Sequence, residues 1–253
     1  MKNIKTHILI LLFFVPMVLL ADGAKTLFQK ANESYEQQNY DSSITLLDSL
    51  LKSGLESPEL YYNLGNSWFK KGEIPMAILY YEKAIKLEPN NEDINYNLAL
   101  ANTLIADKIE PVPEFFIKTW WNTSLRFFNE KQWALINIAS YTLLFVFIVI
   151  FFVTQSKTTK QRAFILGIVF LLISLITGFY GYKSAQLKLA HNTAIIFTPT
   201  VNVKSSPSDN ANTIFVIHQG TKVKIVDQIK DWYRIKLANG SLGWLTADDF
   251  KEI

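Results

Sequence analysis

The chain contains no cysteine. Disulfide bonds and thiolate metal ligands are therefore excluded, whatever the redox state of its compartment. Histidine is also scarce, and His7, His191 and His218 stand too far apart to form a metal-binding or catalytic pair by local spacing. Phosphate-binding loops, dinucleotide-binding turns and nucleophile elbows are absent from the sequence as well. These absences predict a protein that is not an enzyme and that holds no metal ion and no cofactor.

Charged residues are also few: they make up 19% of the chain, whereas apolar residues make up 49%. The formal net charge of +3 is unevenly distributed. Residues 22–110 hold 8 lysines and arginines against 14 acidic residues, a net charge of −6. Such a region lacks the basic surface that nucleic-acid phosphates require. We therefore expect no nucleic-acid partner, and the apolar excess indicates membrane segments.

A short apolar run near the start of the chain predicts export. Residues 8–20 follow Lys2 and Lys5 and end at Leu20-Ala21, which is typical of a signal peptide covering residues 1–21. The run is too short for an ordinary membrane span. If it is not cleaved, it serves as an N-terminal anchor with the same orientation. Either way, the residues that follow are placed outside the cytoplasm.

Two longer apolar runs predict transmembrane helices at residues 133–153 and 163–182, each uncharged and about 20 residues long. The intervening residues 154–162 contain Lys157, Lys160 and Arg162 and no acid. The positive-inside rule makes this loop cytoplasmic. Both flanking regions then lie in the periplasm, which makes the chain a protein of the bacterial inner membrane with two spans. Asn137, Ser140 and Gly178 are either interhelical contacts or merely tolerated polar and small residues.

Residues 111–132 precede the first span and mix aromatic with basic side chains, including Phe115, Phe116, Trp120, Trp121 and Lys118. This composition predicts a helix lying in the membrane surface with its aromatic face toward the lipid. The alternative is a helix that packs beneath the preceding domain.

Residues 22–110 repeat with a period of 34 residues. Small residues recur at Ala31, Gly65 and Ala99, and the aromatic residues Phe28, Tyr62 and Tyr96 recur three positions earlier. This period is typical of helix-turn-helix repeats that stack into a superhelix, although a plain helical domain is the alternative. The copy at residues 58–91 is sharp, the first copy is degenerate, and the third contains only a first helix, which caps the stack.

The sharp copy resembles the tetratricopeptide repeat (TPR) in its small residues Gly65 and Ala77, in Tyr81 and in the terminal Pro89. The resemblance implies that the first helix of each repeat lines a concave groove that binds partner proteins. Asn side chains suit the amide groups of an extended peptide, because one Asn both donates and accepts. The alternative is that they are solvated surface. The predicted groove residues are Phe28, Asn32, Tyr35, Tyr62, Asn66, Phe69, Lys70 and Tyr96.

Residues 193–253 change to a period of two, which predicts β-strands. Asn239-Gly240 predicts a hairpin with a two-residue type I′ turn. The order Val201-Asn202-Val203, Gly220, Trp232 and Gly243-Trp244 resembles the bacterial SH3-like domain. Trp232 and Trp244 are candidate ligand-stacking residues. Core packing is the alternative, which we favour for Trp232, with a mixed role for Trp244.

The predicted fold class is multi-domain: all-α TPR repeats, two transmembrane helices and a C-terminal all-β SH3-like barrel. This order resembles the BatE family of Bacteroides aerotolerance proteins. That resemblance implies a gene neighbourhood with von Willebrand factor A-type membrane proteins and a role in envelope integrity or oxidative-stress tolerance. Two hypotheses follow. The chain is a scaffold whose TPR groove binds membrane or periplasmic proteins, or it is a cell-wall sensor or anchor whose SH3-like domain binds peptidoglycan.

Overall fold

The computed structural model describes residues 23–113, 115–189 and 192–253. The predicted signal peptide, residues 1–21, lies outside these described residues. The chain forms two compact units. The first combines the residues up to Val112 with Asn192–Ile253, and the second is Pro113–His191. The predicted repeats and the predicted β-domain therefore belong to one unit rather than to two separate modules.

Helices form the N-terminal part of the first unit: α1 (residues 23–36), α2 (Tyr40–Lys52), α3 (Pro58–Lys71), α4 (Ile74–Leu87) and α5 (Glu92–Asn102). Their starts are capped by side chains. Ser57 accepts a hydrogen bond from the backbone N–H of Leu60 at the start of α3, and Asn91 caps α5 in the same way. Two helix pairs and a single third helix are what the 34-residue period predicts.

The small residue Gly65 lets α3 and α4 approach each other closely. A Cβ atom at this position would lie 2.5 Å from the ring of Tyr81 on α4. Ala77 and Ala84 of α4 are fully buried, as is Leu64 of α3. The crossing therefore depends on small side chains beside one large aromatic ring, as the repeat pattern predicts.

Residues 193–253 form one antiparallel sheet, which we call the β-module. Its strands are β1 (Thr193–Ile196), β2 (Thr200–Lys204), β3 (Thr213–His218), β4 (Lys222–Ile229), β5 (Trp232–Lys236), β6 (Leu242–Thr246) and β7 (Phe250–Glu252). Their spatial order is β3-β2-β6-β5-β4-β1-β7. Buried Ile196, Val203, Ile217, Ile235 and Leu245 form its core. The alternating pattern does not pick out β3, because Ile214–Ile217 is a continuous apolar run.

The predicted hairpin turn at Asn239-Gly240 is wrong in detail. Gly240 has a φ of +89°, but Asn239 is not among the residues with positive φ. The backbone N–H of Gly240 donates to the carbonyl of Leu237, and that of Leu237 donates to Ser241. The connection is thus a three-residue loop, a type I turn followed by a left-handed glycine. Only Gly240 carries the conformational constraint.

The second unit contains α6 (Phe116–Arg126), α7 (Glu130–Val153) and α8 (Lys157–Leu189). The stretches Lys131–Val153 and Lys157–Leu187 are long and apolar enough to cross a membrane. Only 6% and 17% of their most apolar windows are buried, which is unlike the core helices of a water-soluble domain. Because α8 begins at Lys157, the non-helical connection is residues 154–156, shorter than the predicted loop 154–162.

Polar side chains join α7 to α8. Asn137 donates through Nδ2 to the carbonyl of Ser174 at 2.6 Å and to the hydroxyl of Thr177 at 3.1 Å. A Cβ atom at Gly178 would lie 3.3 Å from this nitrogen. Ser140 and Thr177 are buried. Asn137 is therefore an interhelical contact, one of the two roles that the sequence left open.

Helix α6 packs against the other helices of its unit through one edge. Trp121 lies 5.4 Å from Tyr180 between ring centroids, and Tyr180 lies 4.9 Å from Trp133. Its other aromatic side chains, Phe116 and Trp120, are 70% and 67% exposed, and the adjoining Phe127 is 71% exposed. The helix thus presents an uncovered aromatic face.

Candidate functional site

The first helices of the successive repeats, α1, α3 and α5, carry the predicted groove residues. Phe28, Tyr62 and Phe69 are half-buried and pack against the helical cores, whereas Lys70 is exposed. Tyr96 on α5 is 71% exposed. Tyr35 stacks edge-on against Tyr40 at 5.5 Å. Phe28, Tyr62 and Phe69 therefore form the floor of the surface, and its accessible groups, Lys70 and Tyr96, lie on α3 and α5.

Asparagines link neighbouring repeats in a ladder. Asn63 donates from Nδ2 to Oδ1 of Asn32 at 2.9 Å, and Asn97 donates to Oδ1 of Asn66 at 3.0 Å. The two bonds are related by the 34-residue period. Asn32 and Asn66 are thus neither free peptide acceptors nor solvated surface, because their carbonyl oxygens hold the stack together. Their Nδ2 groups donate to no residue within the described part of the chain.

The ladder is anchored to the repeat core through Tyr81. Its hydroxyl donates to Oδ1 of Asn66 at 2.8 Å, and the hydroxyl of Tyr62 accepts from Asn97 at 2.8 Å. Burial, with smaller contributions from Tyr62 and Tyr35, raises the pKa of Tyr81 well above its ordinary value. The phenol therefore stays protonated and continues to donate at every physiological pH. Asn63 and Asn97 belong to this site although the sequence reasoning assigned them no role; their shared register was the available signal.

The β-module is fixed to the repeats by a shared apolar core. Ile195 and Ile253 belong to the same buried cluster as Ile78 and Tyr81 of α4. Ile195 and Ile78 have no exposed surface. Residues 193–253 therefore share part of their core with the helices, because in isolation Ile195 and Ile253 would be exposed to water.

Polar contacts surround that core. Lys222 Nζ lies 2.6 Å from Oε2 of Glu82, whose side chain is 10% exposed. Lys86 donates to the backbone carbonyl of Ile253 at 3.0 Å. The Lys222 side chain is 46% exposed, so its pair with Glu82 contributes little to stability and more to orientation. These contacts select one docking arrangement for the module.

The module occupies the place of a further repeat. Asp48 on α2 accepts a hydrogen bond from Tyr80, which lies on the second helix of the next repeat. Glu82 is the residue 34 positions after Asp48, and it contacts Lys222 of the module instead. The same position of the repeat therefore faces a helix in one layer and the β-module in the next. On α4, the module thus covers the surface that the second helix of the third repeat would otherwise cover.

A segment that we call the strap, residues 103–112, runs from α5 along the module. Its period-two residues Ile105, Asp107 and Ile109 are partly buried, and Ile109 packs on the core of the module. Ile105 fills the space beside Gly220, where a Cβ atom would collide with it. Gly220 also has a φ of +88°, so glycine is required there for two reasons.

Asp107 fastens the strap with three hydrogen bonds. Its Oδ2 accepts from the backbone N–H of His218 and from the hydroxyl of Thr221, both at 2.6 Å. Its Oδ1 lies 2.8 Å from Nδ1 of His218. Burial raises the pKa of Asp107, but the hydrogen bonds from Thr221 and His218 outweigh it, so the pKa is lowered overall. The carboxylate accepts from both partners, and the arrangement therefore resembles a clasp rather than a chain that activates Thr221.

The two tryptophans of the module differ from the expectation. Trp244 is 8% exposed, so its ring is not available for stacking on a ligand. Trp232 is only partly buried and lies outside the module core, which contradicts the predicted core role. It pairs across strands with Ile229, which is 46% exposed, and with Thr246. Trp232 is therefore the more accessible of the two rings, and we call this partly exposed ring the Trp232 platform.

Within residues 23–113, 115–189 and 192–253, no group of three or more His, Asp or Glu side chains is placed to hold a metal ion. The described surface thus offers contacts for binding: an amide ladder, exposed aromatic and aliphatic side chains, and the Trp232 platform.

Comparison with known families finds one matching segment in each half of the first unit. The tetratricopeptide repeat model matches residues 58–91, and the bacterial SH3 domain model matches residues 199–251. The first indicates protein–protein interaction, and the second suggests peptidoglycan binding and a cell-envelope location. These matches confirm the predicted fold class. No curated protein matches the chain.

Proposed function

We propose that the chain is a non-enzymatic scaffold of the bacterial inner membrane whose TPR groove binds other membrane or periplasmic proteins. The observation that carries this proposal is the docking of the β-module on α4. It closes one end of the stack while leaving the first helices of the repeats open to a ligand. The groove is thereby held in one conformation, which lowers the entropic cost of binding.

The second unit supplies the membrane attachment in this proposal. Helices α7 and α8 cross the bilayer, and the connection at residues 154–156, with Lys157 and Lys160 behind it, lies in the cytoplasm. Helix α6 lies in the outer interface, where its exposed Phe116, Trp120 and Phe127 contact lipid. The first unit is then periplasmic.

The absence of cysteine makes this topology directly testable. Single-cysteine variants Ser156→Cys and Ser208→Cys are labelled in intact cells with a membrane-impermeant maleimide. We expect labelling at residue 208 before cell lysis and at residue 156 only after lysis. The reverse order would contradict the arrangement.

The module order is similar to that of the BatE family, and this similarity supports a partner of the same gene neighbourhood. In this proposal the groove binds a von Willebrand factor A-type membrane protein, in a complex that maintains envelope integrity or tolerance of oxidative stress. The order of modules carries the similarity, since each module alone is common.

The capture experiment compares two exposed residues on different surfaces. Tyr96→Ser removes an aromatic ring from the groove, and Val216→Ser changes a 44%-exposed residue of β3. The tagged full chain is purified from detergent extracts, and the stoichiometry of co-purified membrane proteins is measured. We expect loss of partners with Tyr96→Ser only. Loss with Val216→Ser only would assign capture to the β-module instead.

A second function, anchoring to peptidoglycan, is favoured by the partly exposed ring of Trp232 beside the exposed Ile229, together with the bacterial SH3 match. Aromatic platforms of this kind stack on sugar rings and peptide planes. The test is sedimentation of the full chain in detergent with purified cell-wall sacculi. Trp232→Ala should abolish binding, whereas Trp244→Phe, which retains a buried ring, should not. If wild type and Trp232→Ala bind sacculi equally well, the proposal that the chain binds peptidoglycan through Trp232 is wrong.

A further inference from the structure

The groove is not uniform along its length, because its last helix exposes a row of apolar side chains. On α5 and the turn after it, Tyr96, Leu100 and Leu104 are 71%, 41% and 56% exposed. They are spaced four residues apart and therefore share one face. The backbone N–H of Leu104 bonds to the carbonyl of Ala101, so the helical turn continues to this residue.

The repeat register identifies this face as part of the groove. Tyr96 is equivalent to Phe28 and Tyr62, and Leu100 is equivalent to Asn32 and Asn66. The side of α5 that a second helix would cover is instead polar or small, with exposed Asn95, Ala99 and Asn102. The end of the stack is thus made compatible with water, while the groove side is left apolar.

Leu100 marks where the asparagine ladder ends. In the preceding helices the equivalent Asn accepts a hydrogen bond from the next repeat. Within the described residues, no first helix of a fourth repeat packs on α5, so an Asn at position 100 would have no ladder donor. An aliphatic side chain in its place converts the last part of the groove from an amide surface to an apolar one.

Two neighbouring groups indicate what the apolar surface accepts. Lys70 occupies the position of Leu104 in the preceding repeat, is exposed, and forms no ion pair with any described residue. Its neighbour Lys71 is engaged with Asp41 at 2.5 Å. The Nδ2 groups of Asn32 and Asn66 provide donors for backbone carbonyls along the same groove. Amide donors favour a polypeptide over a lipid chain, and Lys70 favours a carboxylate.

We propose that Tyr96, Leu100 and Leu104, which we call the apolar end, bind a partner-protein segment with two large apolar side chains next to an acidic residue that pairs with Lys70. This inference rests on the proposed scaffold function and specifies the ligand of the same groove. The apolar pair is held by α5, the carboxylate by Lys70, and the backbone of the segment runs toward the ladder on α3 and α1.

The test selects a random dodecapeptide display library on the full chain in lipid nanodiscs. The same selection is run on Leu100→Asn, which restores the residue type of α1 and α3, and on Leu55→Asn. Leu55 has the same 41% exposure but lies in the loop between α2 and α3, so it is a matched control. Circular dichroism establishes that each variant is folded, and Leu104→Ser serves as a second variant.

We expect wild type and Leu55→Asn to enrich peptides that combine two large apolar residues with Asp or Glu. Enrichment on Leu100→Asn should fall by about tenfold or more, which corresponds to loss of a partly buried aliphatic contact. On Lys70→Glu, the acidic residue of the selected peptides should be replaced by Lys or Arg.

Other results separate the possible failures. If the same peptides are enriched on Leu100→Asn and Leu104→Ser, the groove binds peptides elsewhere, and this inference is overturned while the scaffold function stands. If no variant enriches any peptide, both are overturned. If wild type is dimeric and Leu100→Asn monomeric by mass photometry, a second copy covers the apolar end, which also overturns the inference.

Discussion

In the unit built from α1–α5 and the β-module, large apolar side chains are mostly buried, and the exposed ones of the helical part are Leu55, Tyr96, Leu100, Leu104 and Val112. In Pro113–His191 the proportion is reversed, and exposed apolar side chains run along both long helices. Three of those five residues share one face of the groove. Exposure therefore indicates a binding surface only where the surrounding fold otherwise buries its apolar side chains.

The largest effect is expected where the β-module joins the helices. Ile195→Ala removes a fully buried side chain from their shared cluster and should lower the free energy of unfolding by about 2–5 kcal/mol. Hydrogen exchange on the full chain in detergent should accelerate in α4 and β1 together and not in α7 or α8. The control Ile214→Ala, at a 48% exposed position, should change stability by less than about 0.5 kcal/mol. Faster exchange in β1 alone would show that the module and the repeats unfold separately.

Glycines in the two units should respond differently to the same substitution. A methyl group at Gly65 would meet the Tyr81 ring at 2.5 Å, whereas one at Gly167 would meet Leu144 and Phe147 at an ordinary 3.9 Å. Gly65→Ala should therefore destabilise by about 1–3 kcal/mol. Gly167→Ala should be neutral or slightly stabilising, because alanine is the better helix former. Thermal unfolding of both variants measures this, and equal melting temperatures would refute the close crossing of α3 and α4.

Removing one asparagine should also lower stability by different amounts in the two units, although both effects should be smaller than that of Ile195→Ala. Asn66→Ala leaves the buried hydroxyl of Tyr81 without its acceptor and should cost about 1–3 kcal/mol. Either role that the sequence left open for Asn32 and Asn66, peptide contact or solvated surface, would leave melting intact in the double alanine variant, and the ladder reverses that expectation. Asn137→Ala should cost only about 0.6 kcal/mol, the average for interhelical hydrogen bonds in membranes. Urea titration of the first unit and denaturation in mixed micelles of the second provide the two values; a larger loss at residue 137 would contradict this order.

The smallest effect concerns the clasp of the strap. Because the pKa of Asp107 is lowered in the folded state, its stabilising contribution is present above the ordinary carboxyl value of 3.8 and is lost as the pH falls through the folded pKa. Wild type should therefore lose stability relative to Asp107→Asn below about pH 4. Exchange rates of residues 103–112 at two pH values measure the difference. If the stability difference between wild type and Asp107→Asn does not change with pH, ionisation of Asp107 does not cause the loss of stability.

The repeats were predictable because their information is local and repeated. Each small residue recurs after 34 positions, and helix caps such as Ser57 and Asn91 lie within three residues of the groups that they satisfy. The apolar helices were predictable for the same reason, since length and composition alone define them. The start of α8 at Lys157 was missed because basic residues form helices as readily as loops.

The errors in the candidate site share another cause. The cross-strand register places Trp232 and Trp244 on the same face of β5 and β6. Trp244 is nevertheless buried and Trp232 only partly buried, because burial depends on what covers each ring, which a tryptophan pattern does not contain. The turn at Asn239 was misassigned because a two-residue and a three-residue loop both place glycine at a left-handed position. In the ladder, Asn32 and Asn66 were correctly aligned, but the donors Asn63 and Asn97 acquire their role only when adjacent repeats stack.

The sequence by itself determined the periodic elements: a helical repeat, two apolar helices and a β-module with its glycine turns. Tertiary structure decided that the module replaces a missing helix. Glu82 meets Lys222 across 140 residues of chain, and Asp107 meets Thr221 across 114. Contacts at such separations leave no period or spacing in the sequence. They arise because Ile78 on α4 and Ile195 on β1 are each buried only when the two surfaces come together.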